Sequence, residues 1–296
     1  MISIKNSRLA FSFLALFFVF FTALIIPSAA LASNETPVYS GGFPEGTKTY
    51  TFGENVNVRK DPKIADGNVI DKLPAGIEVT VKSAGSDFTL EGLTQKWYGV
   101  QYKKDGAQKS GYVWGAFLAL AWTPLNSDDS KLALTGLKKY SKKEGLTAEL
   151  RIVSANKIVS TVVFKPQNQD DGTGAAYSYS LYSNDFGEKM GFAQFEKLIF
   201  VKCLYEACGY TNGTNWFGIT RDDKAYFIAA ETTNSEAGVY QARTFITFPS
   251  DKGGIKDGIV LTDESSEFDE AKKDYVVKSS KDGKYEWKNG GFLKVK

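Results

Sequence analysis

The sequence contains no histidine. A Ser-His-Asp triad, a Cys-His dyad and a histidine-ligated zinc site all need an imidazole, so none of them can be built within this chain. Hydrolysis of glycans by two carboxylates needs only Asp and Glu, and that chemistry stays open. We therefore expect no metal, no cofactor and no common hydrolytic centre, and we expect that the protein is not an enzyme.

The chain also lacks an excess of charge of either sign. Its 36 basic and 34 acidic residues give a formal net charge of +2. Lys5 and Arg8 lie in the first 32 residues, which contain no acid, so the remainder holds 34 residues of each sign. A neutral protein has no global field that attracts nucleic acid or anionic lipid. No nucleic-acid partner is expected.

Residues 1–32 have the pattern of an export signal. The two basic residues precede an apolar run over positions 9–26, and Ala30-Leu31-Ala32 supplies the small residues of a cleavage site. An uncleaved anchor is the alternative, because the run approaches the ~20 residues that span a bilayer. A proline after the run favours cleavage before Ser33. We therefore expect a periplasmic or extracellular protein with no stable membrane anchor.

The rest of the chain consists of short apolar runs separated by Gly, Pro and Asp, which is typical of antiparallel strands. This pattern predicts an all-β protein with a small SH3-like barrel followed by a larger antiparallel β domain, either a sandwich or a meandering barrel. The expected divisions are a flexible segment (33–47), the barrel (48–120), a linker (121–130) and a C-terminal β domain (131–296).

Four pieces of the barrel region occur in a characteristic order. They are Asn55-Val56-Asn57-Val58-Arg59 before a turn, Leu73-Pro74-Ala75-Gly76, Trp97-Tyr98-Gly99-Val100, and Gly111 to Leu118 with the sequence GYVWGAFL. This set resembles the bacterial SH3 (SH3b) family. The resemblance implies a binding module of the bacterial cell envelope, often one that docks an enzyme on peptidoglycan, and it implies no reaction.

Alternation divides the aromatic residues of this region between two faces. Tyr98 lies on the face that also carries Val100, while Trp97 lies on the opposite one. Since one face must fill the barrel, Trp97, Tyr112 and Trp114 are candidates for an exposed ligand platform, with Arg59 as a candidate contact for an anion. The alternative is that these rings cover the barrel ends or pack on the second domain.

The second domain has no recognisable catalytic motif. Its pieces CLYEACGY, SEAGVY and FPSDKGG resemble uncharacterised secreted bacterial proteins that contain SH3 domains, and this carries no activity. A glycosidase would need two of its acids to face each other in a cleft, one with a raised pKa. The acids of this domain, which the pattern favours as surface residues, include Glu188, Glu196, Glu206, Asp222, Asp223, Glu231 and Glu236.

Cys203 and Cys208 are the only cysteines. In an exported protein they are expected to oxidise, and residues that flank a four-residue hairpin loop lie close enough for a disulfide. A zinc site would need more ligands, and a redox pair usually has two intervening residues. The spacing therefore favours a structural disulfide, which stabilises by roughly 2 kcal/mol because its loop is short.

These observations favour an exported, non-enzymatic binding protein of the cell envelope, whose SH3b module binds peptidoglycan or a peptide. One alternative is a carboxylate-dependent hydrolase of cell-wall glycan that is targeted by the module. Another is an inhibitor or scaffold for a wall enzyme, with that protein as its partner.

If residues 1–32 are a cleaved signal, exported protein should begin at Ser33. Intact-mass measurement of protein recovered from the periplasm or medium tests this expectation. A mass that still includes residues 1–32 would contradict cleavage.

Overall fold

The computed structural model describes residues 42–166, 178–184, 187, 189–204 and 209–295. The signal-peptide prediction, Glu188, Glu206 and Cys208 lie outside the described residues. Nearly all of the regular structure is antiparallel strand, which confirms the all-β class. Within the described part of the chain, no helix has the length and apolar character needed to cross a membrane.

The first sheet contains six strands in the order β1-β4-β5-β6-β2-β3. A single 3-10 turn, Gly115–Phe117, follows its last strand. The sheet's strands are β1 (Lys48–Tyr50), β2 (Val56–Arg59), β3 (Val69–Leu73), β4 (Glu78–Leu90), β5 (Leu93–Lys104) and β6 (Ala107–Trp114).

Side chains of this sheet follow the predicted alternation on its inner face. Val56 and Val58 are buried while Asn57 between them is half-buried. Tyr98, Val100 and other inward residues are also buried, so these apolar side chains fill the centre of the curled sheet. The alternation therefore places the expected residues in the core.

The second sheet contains four strands in the order β10-β9-β8-β7. Every residue from Leu132 to Leu137 is buried, so both faces of β8 are covered and its sequence has no alternation to distinguish strand from helix. The strands are β7 (Ala121–Pro124), β8 (Lys131–Ser141), β9 (Gly145–Ser154) and β10 (Lys157–Phe164).

The expected linker over 121–130 is wrong for its first four residues. Ala121–Pro124 pairs with β8 as the edge strand β7, and Ala121 and Thr123 are buried. Proline is tolerated on an edge strand because its missing N–H faces no partner. The connection from β7 to β8 is therefore a turn within one sheet.

The third sheet contains eight strands that follow one another in chain order, as in a meander. A separate apolar cluster, which includes Phe192, Phe195, Phe248 and Ile259, packs on this sheet. The strands are β11 (Ser178–Asn184), β12 (Lys197–Leu204), β13 (Asn212–Ile219), β14 (Ala225–Glu236), β15 (Tyr240–Thr247), β16 (Gly258–Asp269), β17 (Asp274–Lys288) and β18 (Gly291–Lys294).

The largest hydrophobic core is shared by all three sheets. It joins Val58 and Tyr98 of the first sheet with Ile152 of the second and with Ile199 and Phe217 of the third. The barrel region and the chain that follows it therefore pack together, which the sequence left open.

The half-buried carboxylate of Asp71 ties β3 to β5 and β6. Asp71 accepts hydrogen bonds from the Tyr102 hydroxyl (3.0 Å) and the Lys104 ammonium group, and Lys109 lies 3.5 Å away. Burial acts to raise the pKa of Asp71, but the hydrogen bonds from Lys104, the Lys72 N–H and Tyr102 outweigh it and lower the pKa to about 2.

Because the pKa of Asp71 is lower in the folded than in the unfolded chain, its stabilising effect should be complete above the ordinary value of 3.8 and lost as the pH falls towards about 2. The stability difference between wild type and Asp71→Asn should therefore shrink across that window in urea denaturation. Asp66→Asn, which removes an exposed carboxylate, is the control. A difference that stays constant from pH 5 to pH 2 would contradict this account.

Candidate functional site

Trp97 and Trp114 lie directly opposite each other on β5 and β6. They occupy the face away from Tyr98, as expected, but their exposed fractions are only 3% and 4%. The prediction that these two rings form an exposed platform is therefore wrong. They are covered by two other aromatic side chains.

Phe88 and Phe117 provide that cover. The Phe88 ring lies 5.8 Å from both tryptophan rings, and the Phe117 ring lies 5.4 Å from Trp114. The indole N–H of Trp114 donates to the carbonyl oxygens of Phe88 (3.1 Å) and Gln95 (3.0 Å). Phe88 and Gln95 are paired across the β4–β5 hairpin, so Trp114 holds its two strands together close to the tip.

The remaining predicted site residues lie next to this aromatic cluster. Arg59 of β2 pairs with Tyr112 of β6, and both are half-buried. A cavity of about 30 Å³ is lined by Arg59, Trp97 and Trp114, and Tyr112 is not part of its lining. The structure thus brings three of the four residues together.

A larger cavity of about 530 Å³ lies beside this cluster, where the first sheet meets the second. We call it the hairpin groove. Leu90 and Glu91 of the hairpin tip line one part, and Lys138, Glu149 and Arg151 of β8 and β9 line another. Phe52 and Glu54 of the β1–β2 connection, Trp114 of β6 and Phe117 of the 3-10 turn also line it.

The hairpin tip reaches the groove because it docks on β8. Glu91 and Gly92 both have positive φ (52° and 78°), as a two-residue type I′ turn requires. A Cβ on Gly92 would lie 2.2 Å from the Tyr140 carbonyl oxygen, and the Tyr140 N–H donates to the Glu91 carbonyl (3.3 Å). Only glycine fits this close approach.

This hairpin was missed by the sequence reasoning. The sequence from Ser83 to Lys96 contains Gly85, Asp87 and Gly92 and is longer than a tight turn, so it favours an inert loop, with a loop that borders a ligand as the alternative. In the structure β4 and β5 continue through it, with Leu90 paired to Leu93 across the turn. The Glu91-Gly92 pair between two leucines was the signal that would have revealed the turn.

A buried carboxylate organises the opposite wall. Glu149 accepts hydrogen bonds from Arg151 Nε (2.9 Å) and Nη2 (2.5 Å), and Lys138 Nζ lies 2.8 Å away. Burial acts to raise the pKa of Glu149, but the hydrogen bond from Lys138 and the charge of Arg151 hold it below its ordinary value. Glu149 therefore stays ionised and serves as a counter-ion.

Arg151 also ties this wall to the first sheet. Its Nη1 donates to the Phe52 carbonyl oxygen (2.6 Å), and its guanidinium lies 4.1 Å from the centre of the Phe52 ring. Such stacking is favourable because the ring face is electronegative. The wall is therefore fixed in place by charge pairing and ring contact.

A second cavity, of about 440 Å³, lies on the third sheet and is lined in part by Thr214, Glu231 and Arg243. Arg243 is paired with Glu264 (2.7 Å). Glu231 accepts from the Trp216 indole N–H (2.7 Å) and from the Ile246 N–H (3.2 Å), so its carboxylate joins parts of the sheet.

Two of the acids considered for glycan hydrolysis form ion pairs with lysines. Asp222 pairs with Lys224 (2.7 Å), and Asp223 pairs with Lys131 (2.7 Å). Every described carboxylate with a resolved shift has a lowered pKa, namely Asp71, Asp128, Glu144, Glu149 and Asp222. In the part of the chain that the structure describes, no cluster of three or more Cys, Asp or Glu could hold a metal ion.

Cys203 is buried in the core that the sheets share, and the amide of Asn215 lies 3.7 Å from its sulfur. Its expected disulfide partner, Cys208, lies outside the described residues, so the disulfide stays a prediction.

Comparisons of the chain with protein-family models, with curated proteins and with solved structures gave no match. The SH3b resemblance therefore stays a prediction from the sequence.

Replacing Arg151 by alanine should lower the free energy of unfolding by about 2–4 kcal/mol, because Glu149 would keep only Lys138 as a partner while buried. Lys139→Ala, which breaks the exposed pair with Glu144, should cost less than about 1 kcal/mol. Urea denaturation of both variants measures the difference. Equal losses of unfolding free energy in the two variants would show that the buried pair stabilises the protein no more than the exposed pair does.

Proposed function

We propose that the protein is an exported, non-enzymatic binding protein of the cell envelope that binds peptidoglycan through its N-terminal, SH3b-like module. The observation that carries this proposal is the hairpin groove. Its volume lies within the roughly 300–1,000 Å³ of typical ligand pockets. Its position beside the module's aromatic cluster makes it the binding site that we favour.

The exposed apolar residues at the groove support this assignment. Leu90 and Phe117 are exposed by 38% and 39%, and Ile64, which lines the adjoining small cavity, by 55%. Leu90, Trp114 and Phe117 line both cavities, so the apolar surface is continuous from one to the other. A continuous exposed apolar surface of this kind is common at binding sites.

The buried tryptophans have a different role in this proposal from the one that the sequence suggested. Trp114 forms part of the floor and holds the hairpin, while Phe117 and Leu90 contact the ligand. Arg59 lies at the far end of the apolar surface, where it can contact a carboxylate of a longer ligand.

The two alternatives predict different results. A glycan hydrolase would release soluble muropeptides, whereas an inhibitor or scaffold would bind a wall enzyme and leave bare peptidoglycan unbound. No carboxylate pair described above favours hydrolysis, and we keep binding as the proposal. The Cys203–Cys208 disulfide belongs to it as a stabilising element of an exported protein.

Purified peptidoglycan sacculi should pull down the mature protein and release no muropeptides. Leu90→Ser and Phe117→Ser should each weaken binding about 5- to 10-fold, because each removes apolar contact worth about 1 kcal/mol. Val239→Ser, which changes an apolar residue exposed by 52% in the β14–β15 turn, should bind like wild type.

Failure of wild-type protein to bind sacculi would refute the proposal. Steady muropeptide release would favour the hydrolase, and co-purification with a wall enzyme without sacculus binding would favour the inhibitor or scaffold.

A further inference from the structure

The charged residues of the hairpin groove fall into two groups. Lys138 and Arg151 are both paired with Glu149, as described above. Glu54 and Glu91 also line the groove and are exposed. Neither of their carboxylates has a hydrogen bond or an ion pair with any residue that the structure describes.

This division decides the sign of charge that the groove can accept. The two basic groups are already held by Glu149, and Arg151 is additionally held by Phe52. The lining contains three carboxylates against two basic groups. An anionic ligand would have to compete with Glu149, whereas a cation can meet Glu54 and Glu91 without breaking an existing pair.

The apolar residues of the lining indicate which chemical groups lie next to the cation in the ligand. Leu90 lies beside Glu91 at the hairpin tip, and Phe117 and Ile158 also line the groove. These residues can cover aliphatic groups, while the adjacent acids can bind an ammonium group. The site therefore matches a chain that carries an amine close to apolar side chains.

We propose that the hairpin groove binds a peptide segment with a free primary amine, which Glu54 and Glu91 neutralise while Leu90 and Phe117 cover the neighbouring aliphatic groups. This inference rests on the proposed function and names its ligand class: the stem peptides of peptidoglycan, with their free amines, rather than the glycan strands.

Acetylation of sacculi with acetic anhydride removes the charge of the free amines and leaves the glycan backbone intact. Wild-type binding to acetylated sacculi should be at least tenfold weaker than to untreated sacculi. The double variant Glu54→Gln/Glu91→Gln should bind untreated sacculi tenfold more weakly and lose little more on acetylation. Glu45→Gln, which changes an exposed acid outside the groove lining, should behave like wild type.

Equal wild-type binding to both kinds of sacculi would overturn the inference and leave the proposed function standing. The same holds if acetylation weakens the double variant as much as it weakens wild type. Thermal denaturation at the wild-type temperature shows that the variants are folded.

A soluble probe decides the inference even if no sacculus binding occurs. Acetyl-Leu-Lys-Leu-amide and its Nε-acetyl-lysine counterpart can be titrated while tryptophan fluorescence is followed, because Trp114 lines the groove. A preference for the free amine that the double variant loses would support the inference. The absence of any preference would overturn it.

Discussion

The contact between the first and second sheets is the constraint on which the groove depends. It needs two glycines: a Cβ on Gly136 would lie 2.8 Å from the Phe52 ring, and a Cβ on Gly92 would lie 2.2 Å from the Tyr140 carbonyl oxygen. With these approaches in place, Arg151 can reach both Glu149 and Phe52. The groove is the space that remains between two surfaces fixed in this way. Its shape therefore depends on how the two sheets pack together and not on any single strand.

The sequence predicts the strands of this protein better than their assembly. Alternation is a local property, and it places Val56, Val58 and Tyr98 in the core because one face of a curled sheet must be filled. The same reasoning puts Trp97 and Trp114 on the opposite face. It could not show that they are covered, because the cover depends on a hairpin whose tip is held by a residue far along the chain.

Local signals and tertiary structure disagree at particular places. The run from Leu132 to Leu137 carries no alternation, because both of its faces are buried, and the sequence therefore leaves strand and helix open there. Pro124 and the polar residues after it indicate a break, yet an edge strand tolerates proline at its end. The ion pairing of the groove's charged residues was the hardest feature to predict. Nothing in the order of residues distinguishes the paired Glu149 from the unpaired Glu54 and Glu91.

That distinction separates the structural charges from the charges to which we assign ligand binding. Removing a buried and fully paired carboxylate leaves its partners without a counter-ion, so its loss destabilises the fold whatever the protein binds. An exposed acid beside exposed apolar side chains contributes little to folding, and its position is better explained by a partner that covers both. The apolar residues at the groove agree with this assignment, because Leu90 and Phe117 belong to a continuous exposed apolar surface of the kind that is common at binding sites. On these physical grounds, Glu149 and Arg151 belong to the scaffold, while Glu54, Glu91, Leu90 and Phe117 form the surface on which binding should depend.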